Sequence, residues 1–589
     1  MSISPIPFER LQPDFSELLN GHYSSSSAYR ALQPEFADAM DFFCKQSFSN
    51  LMLVQAPFFI EAQEWLNDFF QPQPKSITVY SIDESRTRVL QIDDLDKLNP
   101  TDKVMDPNPR SEIIVAEHVD RETLFGRCAP ELVHGSLTNS LERYRPGLIW
   151  QANHGILVLP VAHMLAQPSL WLEVYQCLCT GQFDWRFVQQ WPDNLNLPNA
   201  PVQLKVLLWG NAQELDDIIE TYPKLWIKSA CKCELKEEVP ATLEYSQAWL
   251  EAFFDQVQHH DEISADVQNW LLQQASKHSE HNHYLALDFY ALKQLFLFCK
   301  IHYGEITQDN LRQAYHQQQS YRSNECQWSR RSYQDRQVKI DLQGKEIGQI
   351  NGLSVLESPG LSHPFGEPLR ITATVHPGDG DLADVERKAE LAGNIHAKSM
   401  MIIHGFLTRQ FARDGHLPIS GTLVFEQSYH EIDGDSASLA GLITILSALS
   451  NLPVDQSFAT TGAIDQMGNV LAVGGVNEKI DGFYQVCQLL DPEHTHSVII
   501  PKANMLQLNL SEEIIDAVQQ SRLYIYPVEH VTQAIELLLC SPIRSSLSGN
   551  ELLELIEQRS QTFYQLERDD QIIHRWMRSL KQTLKKLVG

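Results

Sequence analysis

The sequence predicts an α/β multidomain chain, and three observations carry that expectation. At 589 residues the chain is too long for one hydrophobic core. Residues 40 to 240 alternate strand-like and helix-like segments, the rhythm of an α/β layer fold. From 241 to 330 the pattern turns helical, with apolar and polar faces in SQAWLEAFFDQVQ, SADVQNWLLQQASKH and YLALDFYALKQLFLFCKIHYG. The expected order is an N-terminal segment (1–40), an α/β module (41–240), a helical lid and linker (241–335), a further mixed domain (336–545) and a C-terminal helical extension (546–589).

Each element has its own signature. MSISPIPFERLQPDF has neither a basic nor an apolar stretch, so no signal peptide is expected. Residues 51–70, LMLVQAPFFIEAQEWLNDFF, have the strand–loop–helix rhythm of a phosphate-binding loop. Such a loop needs glycines and a Lys–Ser/Thr pair, yet here it reads Gln55-Ala56-Pro57-Phe58-Phe59-Ile60. Residues 70–110, rich in Pro, Asp and Lys, match no element. Gln317–Arg336 is a polar linker, and the last residues form one or two helices with a basic end at Arg575, Arg578, Lys581, Lys585 and Lys586.

The most informative stretch is FEQSYHEIDGDSAS (425–438), followed by LAGLITILSAL. Leu439, Ile443, Leu446 and Leu449 recur at helical spacing, so Ser436 lies just ahead of a helix. Unpaired N–H groups and the positive end of the helix dipole there suit an oxyanion. Alternatively, Asp and Ser at this point form an ordinary helix cap.

Further blocks accompany it: GQINGLSV (348–355), ELAGNIHAKS (390–399), Thr461–Gly462, GGVNEKIDGF (474–483) and VIIPKAN (498–504). In that order they resemble the proteolytic domain of the Lon protease family, in the archaeal, membrane-type branch that has Asp at the position of Asp435. The resemblance implies an α+β domain with a Ser–Lys dyad: Ser436 as nucleophile, Lys479 as general base, and Thr461 orienting the amine. A serine hydroxyl needs a base, and a lysine serves only when burial or neighbouring charge lowers its pKa. The bland alternatives are a solvated Lys479 paired with Glu478 or Asp481, and Thr460–Thr461 as a plain strand end. Asp433, Asp435 and Glu426 are supporting candidates. The resemblance implies that Asp433 and Asp435 sit near the nucleophile and pair with the lysine in a resting state, unless they merely stabilise the helix start. Glu426 fits a structural carboxylate. His396 and Lys398 fit a positioning role.

DRETLFGR (120–127) and RPGLIWQANHGILVLPVAHMLAQP (145–168) resemble the AAA+ module of the same branch. There the strand should end in Asp-Glu to hold magnesium; here GILVL ends in Pro160-Val161. Asn211 stands at the polar-sensor position, and TYPKLWIKSACKCEL (221–235) offers no arginine finger. The module is therefore expected to be a degenerate AAA+ relic without ATP hydrolysis. No cofactor is expected, and ATP or magnesium binding is doubtful at this site.

Composition bounds the partners. Lys+Arg total 46 against Asp+Glu 75, a net charge of -29, which disfavours neutralising nucleic-acid phosphates. No apolar run reaches the roughly 20 residues of a membrane span. Ten scattered cysteines suit reduced thiols. Cys177/Cys179 and Cys231/Cys233 lack zinc spacing, so no metal site is expected. The resulting expectation is a cytoplasmic serine endopeptidase of homohexameric ring form acting on unfolded polypeptides. Alternatives are an ATP-dependent Lon protease with a non-standard nucleotide site, and a non-proteolytic, chaperone-like protein-binding relic.

Overall fold

The computed structural model describes residues 3–19, 27–83, 86–93, 95–100, 102–128, 131–133, 136–138, 141–190, 197–357, 363–385, 393–412, 417, 419–427, 434–539, 548–559 and 561–562. Two compact units emerge. One comprises Ser16–His278 and Tyr284–Ile301; the other comprises Met1–Phe15, Ser279–His283 and His302–Gly589. The first fifteen residues and the end of the helical region thus group with the C-terminal domain, a division that the expected boundaries draw differently.

In the first unit, five parallel strands form the central sheet. They are β1 (Leu51–Gln55), β2 (Ile113–Val115), β3 (Ile156–Pro160), β4 (Lys205–Gly210) and β5 (Cys231–Glu234), in spatial order β5-β1-β4-β3-β2. Parallel sheets are covered on both faces, which is why LMLV, ILVL and VLL read as continuous apolar runs. Trp150, Trp185, Phe183, Tyr144 and Tyr80 fill one side as an aromatic cluster, with the Tyr144 hydroxyl donating to Phe125 O at 2.6 Å.

Residues 70–110 do have structure. Ile77–Asp83, Arg86–Ile92 and Lys103–Val104 form a three-stranded antiparallel sheet. It is pinned by the buried Lys75, which pairs with Asp106 and donates to Asn153 O at 3.1 Å. Helices Leu243–Gln256, Ala265–His278 and Tyr290–Tyr303 follow the expected helical pattern. Trp249 stacks on Phe253 within their core, and Phe289 and Phe296 pack edge-on against that pair.

The second unit is built on a seven-stranded mixed sheet. Its strands are β6 (Gln349–Leu356), β7 (Phe365–Pro377), β8 (Leu382–Asp384), β9 (Ile419–Phe425), β10 (Phe458–Thr460), β11 (His496–Pro501) and β12 (Leu523–Val528), in order β8-β9-β7-β6-β10-β11-β12. β9, β7 and β6 pair antiparallel, while β6, β10, β11 and β12 run parallel. Helix Ser438–Ser450 is apolar on nearly every side and is buried accordingly against one face of the sheet. Helix Val476–Leu490 is amphipathic and packs Ile480, Phe483 and Tyr484 on the other.

Both chain ends of the described structure add to these layers. Ile6 N–H donates to Ile525 O at 2.8 Å, and Leu510 N–H donates to Leu11 O at 3.0 Å, with Ile6 and Leu11 buried. A helix over 549–559 inserts Leu552, Leu553 and Ile556 into the opposite core. The basic residues Arg575 to Lys586 lie outside the described residues. Among the described residues no helix is long and apolar enough to cross a membrane.

Candidate active site

Ser436 sits two residues before helix Ser438–Ser450, and the backbone explains how it is held. The helix cap is Ala437, without a side-chain hydrogen bond; Ser438 N–H donates instead to Asp435 O at 2.9 Å. The Ser436 carbonyl accepts from Gly462 N–H at 2.8 Å and from Thr461 Oγ1 at 3.3 Å. Leu439 N–H returns a bond to Gly462 O at 3.0 Å. The segment carrying Ser436 is thus fastened to the chain leaving β10, while Ser436 itself stays half-exposed.

Lys479 stands in the first turn of helix Val476–Leu490. The turn into this helix runs through Gly475 at φ +63, a left-handed conformation where a Cβ would also meet Val355 Cγ2 at 2.6 Å. Lys479 is only 4% exposed, and its Nζ donates to Gly474 O at 3.0 Å. Burial pushes its pKa down to about 8, against the opposing pull of the Asp435 and Glu478 carboxylates. Asp435, next to Ser436 in the chain, therefore acts electrostatically on Lys479.

Two glycines set the depth of the lysine-bearing helix. A Cβ on Gly366 would fall 2.0 Å from Glu478 O, and one on Gly482 would fall 2.0 Å from Gly366 O. Only glycine at both positions lets the start of β7 touch the helix backbone. The Gly474 carbonyl and this glycine pair escape sequence reasoning, because they act through backbone atoms of segments far apart in the chain.

The remaining candidates are placed as follows. Glu426 is held on the sheet by Thr372 Oγ1 at 2.8 Å and by Arg370 Nη2 at 3.8 Å. His396 is buried edge-on against Phe425, their ring centres 5.2 Å apart, whereas Lys398 is exposed. Asp433 lies outside the described residues.

A second concavity of about 370 Å³ opens beyond the carboxyl ends of β1 and β4, where open α/β sheets commonly bind ligands. Phe58, Phe59, Asn211, Gln213 and Glu237 line it, and among its described lining residues none is basic. Phe58 is 89% exposed. Asn211 caps helix Ala212–Thr221 in a reciprocal box with Glu214, so its amide oxygen is already engaged. Among these lining residues there is neither a glycine-rich run nor a lysine, and Glu237 adds a carboxylate.

Comparison with known proteins supplies the wider frame. Residues 109–225 match the model of a LonB-like AAA domain, and residues 343–541 match that of the Lon protease (S16) C-terminal proteolytic domain. A Lon protease homolog of Escherichia coli K12 is 37% identical over 458 residues, 76% of each chain. One from Haemophilus influenzae is 34% identical over 551 residues, 90% of this chain and 88% of its own. An archaeal Lon protease of Archaeoglobus fulgidus is 31% identical over 199 residues, 33% of this chain and 29% of its own. The family's proteolytic domain falls on the seven-stranded sheet that carries Ser436 and Lys479, its AAA domain falls on the parallel sheet, and the likeness runs through most of the chain: this protein belongs to the Lon protease family.

Proposed function

We propose that the chain is a serine endopeptidase that cuts unfolded or loosely folded polypeptides with Ser436 and Lys479, without hydrolysing ATP. The observation that carries this reading is the buried Lys479 amine, whose pKa of about 8 keeps part of it neutral near neutral pH, in the field of the residue preceding Ser436. Neutral Nζ accepts the Ser436 hydroxyl proton as Oγ attacks the scissile carbonyl. The backbone N–H of Ser436, just ahead of helix Ser438–Ser450, stabilises the oxyanion. The intermediate then collapses, Lys479 returns the proton to the leaving amine, and a water molecule, activated by the same amine, releases the acyl group. Thr461, hydrogen-bonded to the Ser436 carbonyl, helps to hold the nucleophile segment.

The lining of the β1–β4 cleft supports a structural rather than an ATP-hydrolysing module. A cytoplasmic homohexameric ring, with sites facing an inner chamber, accords with family membership and would restrict cleavage to segments that can thread inward. Degradation of casein by wild type and Ser436→Ala, each with and without ATP and magnesium, tests the whole reading. Cleavage lost in Ser436→Ala and indifferent to ATP is the expected result. Cleavage that persists in Ser436→Ala overturns the nucleophile, and a requirement for ATP overturns the degenerate module.

A further inference from the structure

The polar linker ahead of the proteolytic domain does more than connect. Its helix, Asn324–Gln334, lies on the lysine-bearing helix and on the start of β7. Ser329 Oγ donates to Glu367 Oε2 at 2.7 Å, and the buried Tyr333 donates its hydroxyl to Pro368 O at 2.6 Å. Between them Arg330 Nη1 donates to Gly482 O at 2.8 Å, one helical turn beyond Lys479. The chain then turns through Arg336, at φ +55, and meets the end of β9. There Lys339 N–H donates to Gln427 Oε1 and Gln427 Nε2 donates to Gln337 O, both at 2.8 Å.

Gln427 follows β9. Its own backbone is left-handed, at φ +56, which costs a non-glycine residue free energy. Its amide spans the linker with a matched donor and acceptor, a reason to hold glutamine where glycine would relax the backbone. One continuous stretch, Ser329 to Lys339, thus grips the Lys479 helix at one end and the residue at the close of β9 at the other.

We infer that the docked linker is a positioning element for Lys479, seated on the lysine-bearing helix by Arg330 and held at the end of β9 by Gln427, so that peptidase activity depends on linker docking. This rests on the proposed Ser436–Lys479 reading. Undocking the linker frees the helix whose seating sets proton transfer by Lys479, and small misplacements of such groups cost on the order of 100-fold in rate.

The test uses the full chain, a short fluorogenic peptide, and labelling of the serine by a fluorophosphonate. Arg330→Ala is expected to lower kcat and the labelling rate about 10-fold or more with KM little changed, and Arg330→Lys to recover most of the loss. Gln427→Gly relieves the left-handed backbone while removing the amide. It is expected to melt no lower than wild type yet lose kcat similarly, which separates positioning from folding. Wild-type kcat in Arg330→Ala and Gln427→Gly overturns the inference. If instead wild type neither cleaves nor labels at Ser436, the dyad reading itself fails.

Discussion

Asp435 and the burial of Lys479 pull the lysine's pKa in opposite directions, and burial wins. The carboxylate favours the ammonium; the surrounding protein disfavours it more. The amine is left at about 8, low enough to act as a base and high enough to return its proton.

Peptide hydrolysis should therefore follow the neutral fraction of Lys479. Log kcat/KM is expected to rise with unit slope up to about pH 8 and then level. Because the Asp435 carboxylate raises the lysine's pKa, Asp435→Asn should move this limb toward lower pH. A pH–rate series on both proteins checks the direction, and a shift toward higher pH would contradict it.

Burial of the lysine should also cost stability. Its folded pKa is lower than the unfolded value, so below about pH 8 both states hold the proton and the full cost is present. As the pH rises through that value the native state loses its proton first, and the cost shrinks. Lys479→Met should thus raise the melting temperature of the C-terminal unit, by a gain on the order of 2 kcal/mol at pH 7. That gain should fade by pH 10, while peptidase activity is lost. Calorimetry at both pH values reads the effect.

Gly482→Ala sets two terms against each other. Alanine in a helix interior gains about 1 kcal/mol over glycine. The Cβ, however, would lie 2.0 Å from the Gly366 carbonyl oxygen, a backbone atom that cannot swing aside, and overpacking of this kind costs about 1–3 kcal/mol. The net expectation is a loss of about 1 kcal/mol with a larger fall in kcat, because the helix that moves carries Lys479. Unfolding and peptidase assays on the same preparation compare the two.

In the first unit, Lys75→Met should be severe. Asp106 would lose its buried partner, and removing one member of such a pair costs about 3–5 kcal/mol. Hydrogen exchange should show lost protection along Ile77–Asp83 and around Met105, whose N–H donates to Thr78 O.

Sequence reading goes furthest where chemistry restricts the residue. GDSAS and GGVNEKIDGF stand out as blocks of the proteolytic domain that the family match covers, and the continuous apolar runs betray buried parallel strands. It fails at the Ile77–Ile92 pair, although ITVYSID and RTRVLQI are rich in strand-forming residues. The two residues between those strands, Glu84 and Ser85, lack the Asn-Gly or Asp-Gly signal of a short hairpin. The linker's grip on Gln427, the Gly366–Gly482 contact and the seat of Ile6 are invisible for another reason. Backbone groups that pair across long stretches of chain leave no local periodicity.

That seat has a consequence in time. A ribosome releases Ile6 and Leu11 long before it makes Leu510 and Ile525, the residues whose backbones they join. Ile6 and Leu11 must wait for these partners until nearly all of the second unit has emerged. Contacts of such high sequence separation form late and slowly. The unit carrying Ser436 and Lys479 is therefore completed only after the parallel-sheet unit has already had its opportunity to fold.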